Sequence, residues 1–504
     1  MSQRPPPPAP LPAGFGIELD SWTRQLTAEL WFGGSPVRIA RLTPAGQAAW
    51  RDLRPGHVTS RATGVLARYL TDTGLAHPVP PATAATPVVT VIVPVRDRAD
   101  QLGRCLTALG GDHQVTVVDD GSVDQAAVAG VAAEHGAKLI RREVNGGPAA
   151  ARNTGLAAAT SDLVAFVDSD CEPAPEWITR LSGHFADPLV AVAAPRITGR
   201  AASTAAGRYT EANGPLDLGD RPGRVRPGSA ISYVPTAAVL ARREALLGVA
   251  SDGRVFDESM RVGEDVDLIW RLHEAGWRIR YDPSVQVAHH EPASWAELLA
   301  RRYRYGTSAA PLAHRHPGAV VHLVLQPWPA LTVAALLARR PVVAAAAFAG
   351  ALTTTGERLR RAEVPRAGLT KATVTATRQT WLGLGRYATQ FAAPLLVLGI
   401  TAPGRAVGRG RERRGRGRRW GRRAALASLL LGPPLTAWAE GSRAQDPASF
   451  TIARIADDIA YGLGVWSGCV AARTLAPLRP VIAWRPLRID PASAAAKPER
   501  EPPS

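Results

Sequence analysis

Leu163-Val164-Ala165-Phe166-Val167-Asp168-Ser169-Asp170 is an apolar run that ends in two aspartates spaced two apart. It reads as a buried strand delivering its last residues to a sheet edge, where period 2 puts Asp168 and Asp170 on one side. Two carboxylates held there repel each other unless a cation sits between them. An oxygen-only pair suits a hard divalent ion, Mn2+ or Mg2+, which keeps positions open for phosphate oxygens. The stretch therefore points to an enzyme that handles a nucleotide diphosphate.

Outward from this run, residues 88–310 alternate between strand and helix patterns. Strands are predicted over 88–94, 114–118, 138–141 and 163–167, with helices over 99–109, 124–135 and 148–160 between them. That alternation predicts an α/β domain with a mostly parallel, doubly wound sheet, whose ligands lie at the carboxyl ends of the strands. Four further groups of polar residues fall at such ends. Pro94-Val95-Arg96-Asp97 closes the first strand, and Asp119-Asp120-Gly121-Ser122 closes the second. The second group is either a plain turn or a carboxylate free to accept hydrogen bonds from a base or ribose. Asn145-Gly146-Gly147-Pro148, followed by Arg152-Asn153, is either an ordinary helix start or a phosphate site at a helix N-terminus. Gly263-Glu264-Asp265-Val266-Asp267 supplies either first-turn acids or, in Asp265, a general base for an attacking hydroxyl.

In this order, the five groups resemble the family 2 glycosyltransferases with the GT-A fold, over residues 88–310. The resemblance implies a nucleotide-sugar site made from Pro94, Arg96, Asp97, Asp120, Gly146, Arg152 and Asp168, with Asp120 at the uracil or ribose. It implies Mn2+ or Mg2+ on Asp168 and Asp170, and a catalytic acidic pair, Glu264 and Asp265, with Asp265 as the base. A histidine after the acidic pair often completes the metal set in that family, which makes His290 or its neighbour His289 a candidate; two histidines idle at a strand end are the alternative. A metal that neutralises the leaving diphosphate replaces proton donation to it, and in-line attack would invert the anomeric carbon. Processive synthases of the family carry Gln-Arg-x-Arg-Trp where this chain has Arg301-Arg302-Tyr303-Arg304-Tyr305. Tyr305, beside Arg304, can still stack on an acceptor sugar. The departure implies a short oligosaccharide, and a basic helix lying on lipid is the competing reading.

Ahead of this domain come a Pro-rich tail (1–12), a patterned unit (13–78) and a Pro/Ala/Thr linker (79–87). Phe15, Ile17 and Leu19, then Leu26, Leu30 and Phe32, then Val37, Ile39 and Leu42 predict three short strands. Thr43-Pro44 starts a helix, and a second follows over 60–71, so the unit reads as winged-helix-like. With Leu42-Thr43-Pro44-Ala45-Gly46 it resembles the peptide-recognition domains of ribosomal-peptide maturation systems, which bind a leader peptide as an added strand. Fused ahead of a family 2 glycosyltransferase, it is similar to the glycosyltransferases of mycofactocin biosynthesis. That resemblance implies UDP-glucose as donor, a peptide-derived redox cofactor or its precursor as acceptor, and a precursor peptide as a partner.

The 504 residues carry a formal net charge of +17. Between Gly404 and Arg423 ten arginines are interrupted by one acid, Glu412. This block suits an anionic membrane surface, whereas no nucleic-acid-binding signature accompanies it. Cys105, Cys171 and Cys469 are far apart, with neither metal-ligand spacing nor a disulfide framework. The Met-Ser-Gln-Arg start with four prolines lacks the apolar core of a signal peptide. Residues 311–490 turn Ala/Leu/Val-rich, yet their apolar stretches are short or broken against the ~20 residues a spanning helix needs. They read as interfacial or embedded helices at the cytoplasmic membrane face, or as an Ala-rich soluble helical domain, ahead of a polar tail (491–504). A membrane polysaccharide or glycolipid synthase and a non-catalytic GT-A-like scaffold are the rival functions. A nucleotidyltransferase is disfavoured because no Gly-rich loop follows the first strand.

Overall fold

The computed structural model describes residues 8–53, 56–81, 87–200, 203–402, 412–441, 445–484 and 488–490, with side chains only from 420 onward in 412–441 and the backbone alone in 488–490. Residues 1–7 of the Pro-rich tail, linker residues 82–86, residues 403–411 of the arginine block and the tail 491–504 lie outside the described residues. The chain divides into two units, one of Met1–Ala201, Asn213–Glu291 and Leu487–Ser504, the other of Ala202–Ala212 and Pro292–Pro486.

The first unit begins with β1 (Gly16–Leu19), β2 (Arg24–Gln25), β3 (Leu30–Gly33), β4 (Arg38–Arg41), α1 (Pro44–Leu53), α2 (Arg61–Thr73) and β5 (Ala76–Val79). Ser60 caps α2: its hydroxyl accepts from the Thr63 N–H while the Thr63 hydroxyl accepts from the Ser60 N–H. Trp31, Leu53, Leu70 and Leu75 form the centre of a separate core for this module. Two pairings go beyond the three-strand reading. β5 returns antiparallel to β1, and a strand from the far end of the chain, Arg488–Asp490, lies parallel to β4.

The α/β domain follows with β6 (Val89–Val95), α3 (Ala99–Leu109), β7 (Gln114–Asp120), α4 (Gln125–Glu134), β8 (Lys138–Arg142), α5 (Pro148–Ala158) and β9 (Leu163–Val167). Next come β10 (Cys171–Pro173), α6 (Trp177–Ser182) and β11 (Val190–Gly199), then α7 (Ala205–Asn213), which belongs to the second unit, and β12 (Gly223–Val225), β13 (Ala238–Arg242), α8 (Arg243–Gly248), α9 (Glu264–Glu274) and β14 (Arg278–His289). The sheet runs β10-β14-β11-β13-β9-β6-β7-β8, with β12 added on β14. Strands β9, β6, β7 and β8 are mutually parallel, so their carboxyl ends share one edge. All five residues of β9 are buried, as a strand covered on both faces requires. This mixed sheet flanked by helices is the GT-A fold.

Ion pairs tie the N-terminal module to this domain. Arg68 on α2 grips Asp187 with both guanidinium arms, at 2.7 and 2.8 Å, and both side chains are buried. Asp72, one turn further on, receives Arg224 at 2.9 Å and Arg278 at 2.7 Å. Buried charges persist only when paired in this way.

The second unit holds α10 (Trp295–Thr307), α11 (Ala309–Arg315), α12 (Pro327–Leu337), α13 (Pro341–Arg361), α14 (Leu369–Thr401), α15 (Glu412–Gly441) and α16 (Pro447–Ala471), with β15 (Val324–Leu325) parallel to β16 (Val481–Ile482). The strand at Arg488–Asp490 is β17. Helices α10 and α16 touch backbone to backbone: a Cβ on Gly464 would stand 1.9 Å from the Tyr303 carbonyl oxygen. Asp457 is buried against Arg302 and Tyr209, and Asp458 against Arg386 and Gln390. Among the described residues no helix is long and apolar enough to cross a membrane.

Candidate active site

Asp168 and Asp170 stand in a turn at the end of β9 rather than on the pleat of the strand. β9 stops at Val167, and the Cys171 N–H donates to the Asp168 carbonyl at 2.9 Å, closing a tight turn over Ser169-Asp170. Each aspartate then meets an arginine from a neighbouring strand end or helix. Asp168 accepts from Arg152 Nη2 at 2.7 Å, and Asp170 from Arg98 Nη1 at 2.8 Å. The second oxygen of Asp170 faces His289 Nε2 at 3.7 Å, and His289 Nδ1 lies 3.0 Å from Glu291.

Arg152 is the hub of the site. Pro148 at the start of α5 and the Gly146-Gly147 turn set the helix so that Arg152, one turn in, points into the protein. Its other arm donates to Glu264 at 2.8 Å, so a single buried guanidinium joins the β9 end to the start of α9. Burial opposes its charge, yet Asp168 and Glu264 raise its pKa and keep it a cation. Its face lies over the Phe256 ring, 5.7 Å from the centroid. The next residue, Asn153, fixes the loop before α9 by bonding the Phe256 backbone in both directions and Glu258.

Asp265 sits beside this ion pair, half-buried, with its Oδ1 accepting from the Val266 N–H at 2.8 Å. Burial first, and then the adjacent Glu264, push its pKa up to about 7, against the pull of Arg152. A carboxylate poised there can take a proton near neutral pH and hold it.

The other expected donor-site residues occupy the same strand ends in different states. Asp120 is buried and spends both oxygens on the end of β8 and the loop after it, accepting from Arg142 Nε at 2.8 Å and from the N–H groups of Gly146 and Gly147 at 3.0 and 2.7 Å. Gly121 needs its positive φ of 76° here, and a Cβ on it would lie 2.9 Å from the Asn145 nitrogen. Asp97 has a φ of 53° and is stitched to the neighbouring strand end, its N–H donating to Ser122 Oγ and its Oδ1 accepting from the Val123 N–H. Arg96 is exposed beside it, and Pro94 lies inside β6. His290 turns away from the aspartate pair: its Nε2 pairs with Glu172 at 2.6 Å, in a cluster with Arg104 and Arg200. Tyr305 and Arg304 lie on α10 of the second unit, Arg304 exposed and Tyr305 half-buried.

Several residues of this arrangement were not foreseen from the sequence. Arg142 carries a readable signal, because parallel register places it opposite Asp120 at the end of the adjacent strand. Arg98, Glu172 and Glu258 carry none, since each meets its partner only through the folded chain. Among the described residues, no group of three or more His, Cys, Asp or Glu side chains is gathered to hold a metal ion. Asp168 and Asp170 nevertheless each keep one carboxylate oxygen outside the arginine contacts, which is hard oxygen chemistry suited to Mn2+ or Mg2+ completed by diphosphate oxygens.

Residues 90–247 match the family described as glycosyl transferase family 2. Over 488 residues the chain is 37% identical to the pre-mycofactocin glycosyltransferase of Mycobacterium tuberculosis strain H37Rv, covering 94% of this chain and 98% of that one. The chain belongs to glycosyl transferase family 2. A second relative of the glycosyltransferase, a succinoglycan biosynthesis protein of Rhizobium meliloti, is 31% identical over 210 residues, 39% of this chain and 60% of that one. A solved mannosyltransferase from Pyrobaculum calidifontis, in complex with GDP-mannose and Mn2+, is 21% identical, with a TM-score of 0.36 over 58% of this chain and 86% of that one.

Proposed function

We propose that this glycosyltransferase moves glucose from UDP-glucose to a peptide-derived redox cofactor, or its precursor, of the pre-mycofactocin type, with inversion at the anomeric carbon. The acceptor follows the relative that matches the chain almost from end to end. The observation that carries the chemistry is the Arg152 bridge, which joins the Asp168 end of the site to Glu264 and Asp265 through one ion-pair network. Asp168 and Asp170 would hold Mn2+ or Mg2+ together with diphosphate oxygens of the donor. When bound, that ion supplies positive charge to the leaving diphosphate. Asp265 takes the proton of the acceptor hydroxyl as its oxygen attacks the anomeric carbon opposite the departing UDP. The proton stays on the Asp265 carboxyl, and the new C–O bond forms as the old one breaks. Asp97, Arg96 and the 145–147 loop, braced by Asp120, line the donor side. Repeated transfer builds a short oligosaccharide, for which Tyr305 and Arg304 are the acceptor residues that the sequence resemblance implies.

The N-terminal module supplies peptide recognition in this reading. The second unit attaches the protein to the cytoplasmic membrane face, as its exposed Val342, Leu395, Leu398 and Val470 favour. Mass spectrometry of small-molecule extracts from cells with and without the active protein tests the acceptor. A ladder spaced by one hexose on a peptide-derived core is expected, present with the wild type and absent with Asp265→Asn. A ladder that persists in the Asp265→Asn strain would overturn the assignment of the base. Hexose on lipid alone would overturn the acceptor.

A further inference from the structure

We propose that a groove in the second unit, between α12, α13, α14 and α15, takes one acyl chain of an anionic membrane lipid, with the head group at Arg339 and Arg378. The groove has a volume of 910 Å³ and is walled by apolar side chains such as Val333, Leu337, Phe348, Val374 and Trp381. That volume falls within the ~300–1,000 Å³ of small-molecule sites, which are mostly apolar with a few placed polar groups. Only two charged residues line it among the described residues, and both are arginines. Apolar walls with two arginines at the margin complement an amphiphile bearing a negative head.

Arg339 is built in at some cost to the backbone. It adopts a φ of 58° in the short connection from α12 to α13, a left-handed conformation that favours glycine. The facing helix makes room for that side chain: a Cβ on Gly421 would stand 2.2 Å from Arg339 Nη1. Glycine at 421 therefore lets the guanidinium lie flat against α15. Arg378, on α14, is exposed and also reaches Glu440 at the surface. The bilayer is the source of the chain, because Leu336 and Val374 in the wall are themselves exposed, and Val342 beside the groove is 80% exposed.

This inference is independent of the donor and acceptor reading, and its test does not use sugar transfer. The full-length protein is titrated with dibromostearate below its micellar concentration, and in parallel with the uncharged methyl ester. Bromine quenches indole fluorescence at contact, so a chain in the groove dims Trp381. Saturable quenching by the acid is expected, with the component due to Trp381 missing from Trp381→Phe. In an Arg339→Gln, Arg378→Gln double variant the dissociation constant for the acid rises about tenfold or more, while that for the ester stays put. Identical quenching in the wild type and Trp381→Phe would place the lipid elsewhere and overturn the proposal. Equal affinity for acid and ester in the wild type would overturn the head-group assignment. Both key readouts compare the wild type with itself or with a conservative aromatic change, so they do not depend on a variant that fails to fold.

Discussion

At the residue scale, Asp265 as the proposed base fixes how sugar transfer should respond to pH. A base must be deprotonated to act, and the Asp265 pKa is raised to about 7, so sugar transfer should climb as pH rises through that value. Glu264 is the second cause of the raised pKa, and it also draws on Arg152. Glu264→Gln removes a negative neighbour and leaves Arg152 less opposed, so the acid limb of the rate profile should move to lower pH. A limb that stays in place in that variant would mean that another group sets it. Asp168→Ala should abolish the stimulation of transfer by added Mn2+, read as initial rate against ion concentration. Arg152→Ala would leave Asp168 and Glu264 without their shared partner, and both donor binding and turnover should fall by at least ~100-fold. The acidic residues of this site were legible in the sequence because each closes a strand or opens a helix. What joins them was not: Arg152 read as a phosphate ligand, and only the fold shows it buried between two carboxylates.

At the scale of elements, β9 shows both what a sequence can reveal and where its reading stops. Five apolar residues and two aspartates were enough to locate a buried strand end, yet the two aspartates sit in the turn at Asp168–Cys171 and not on the strand. Alternation along the chain cannot signal a hydrogen bond that closes the alternation. The same limit applies to α2, whose polar face reads as solvated until Asp187 and Arg278 are found against it. Arg68→Ala leaves Asp187 buried and unpaired, so it should cost about 3–5 kcal/mol of stability. Chemical denaturation of the variant against the wild type checks this. Loss well below ~1 kcal/mol would mean that water reaches Asp187. In the second unit, Gly464→Leu should separate α10 from α16, because the new side chain meets the Tyr303 carbonyl. A lowered melting temperature with an unchanged far-ultraviolet spectrum would be its signature.

At the scale of the whole molecule, the N-terminal module is an integral part of the first unit rather than a detachable adaptor. Deleting residues 1–78 removes Arg68 and Asp72 together, stranding Asp187, Arg224 and Arg278 without their partners. Such a truncation should lose donor hydrolysis and solubility along with acceptor affinity. Full donor hydrolysis in a soluble truncated protein would show that the catalytic domain folds on its own. The linker composition of residues 79–87 suggested independent modules, because a sequence displays loose connections openly and buried ion pairs between distant segments not at all.

The pairing of β17 with β4 has a consequence for how the protein is made. This sheet cannot be finished until a segment far later in the chain has followed β4 out of the ribosome. At ~5–20 residues per second, the roughly 450 residues between the two strands take on the order of 20–90 s to synthesise. For that interval the β4 edge is an open ladder of backbone donors and acceptors on every nascent chain, and any extended segment nearby can bind it before β17 arrives.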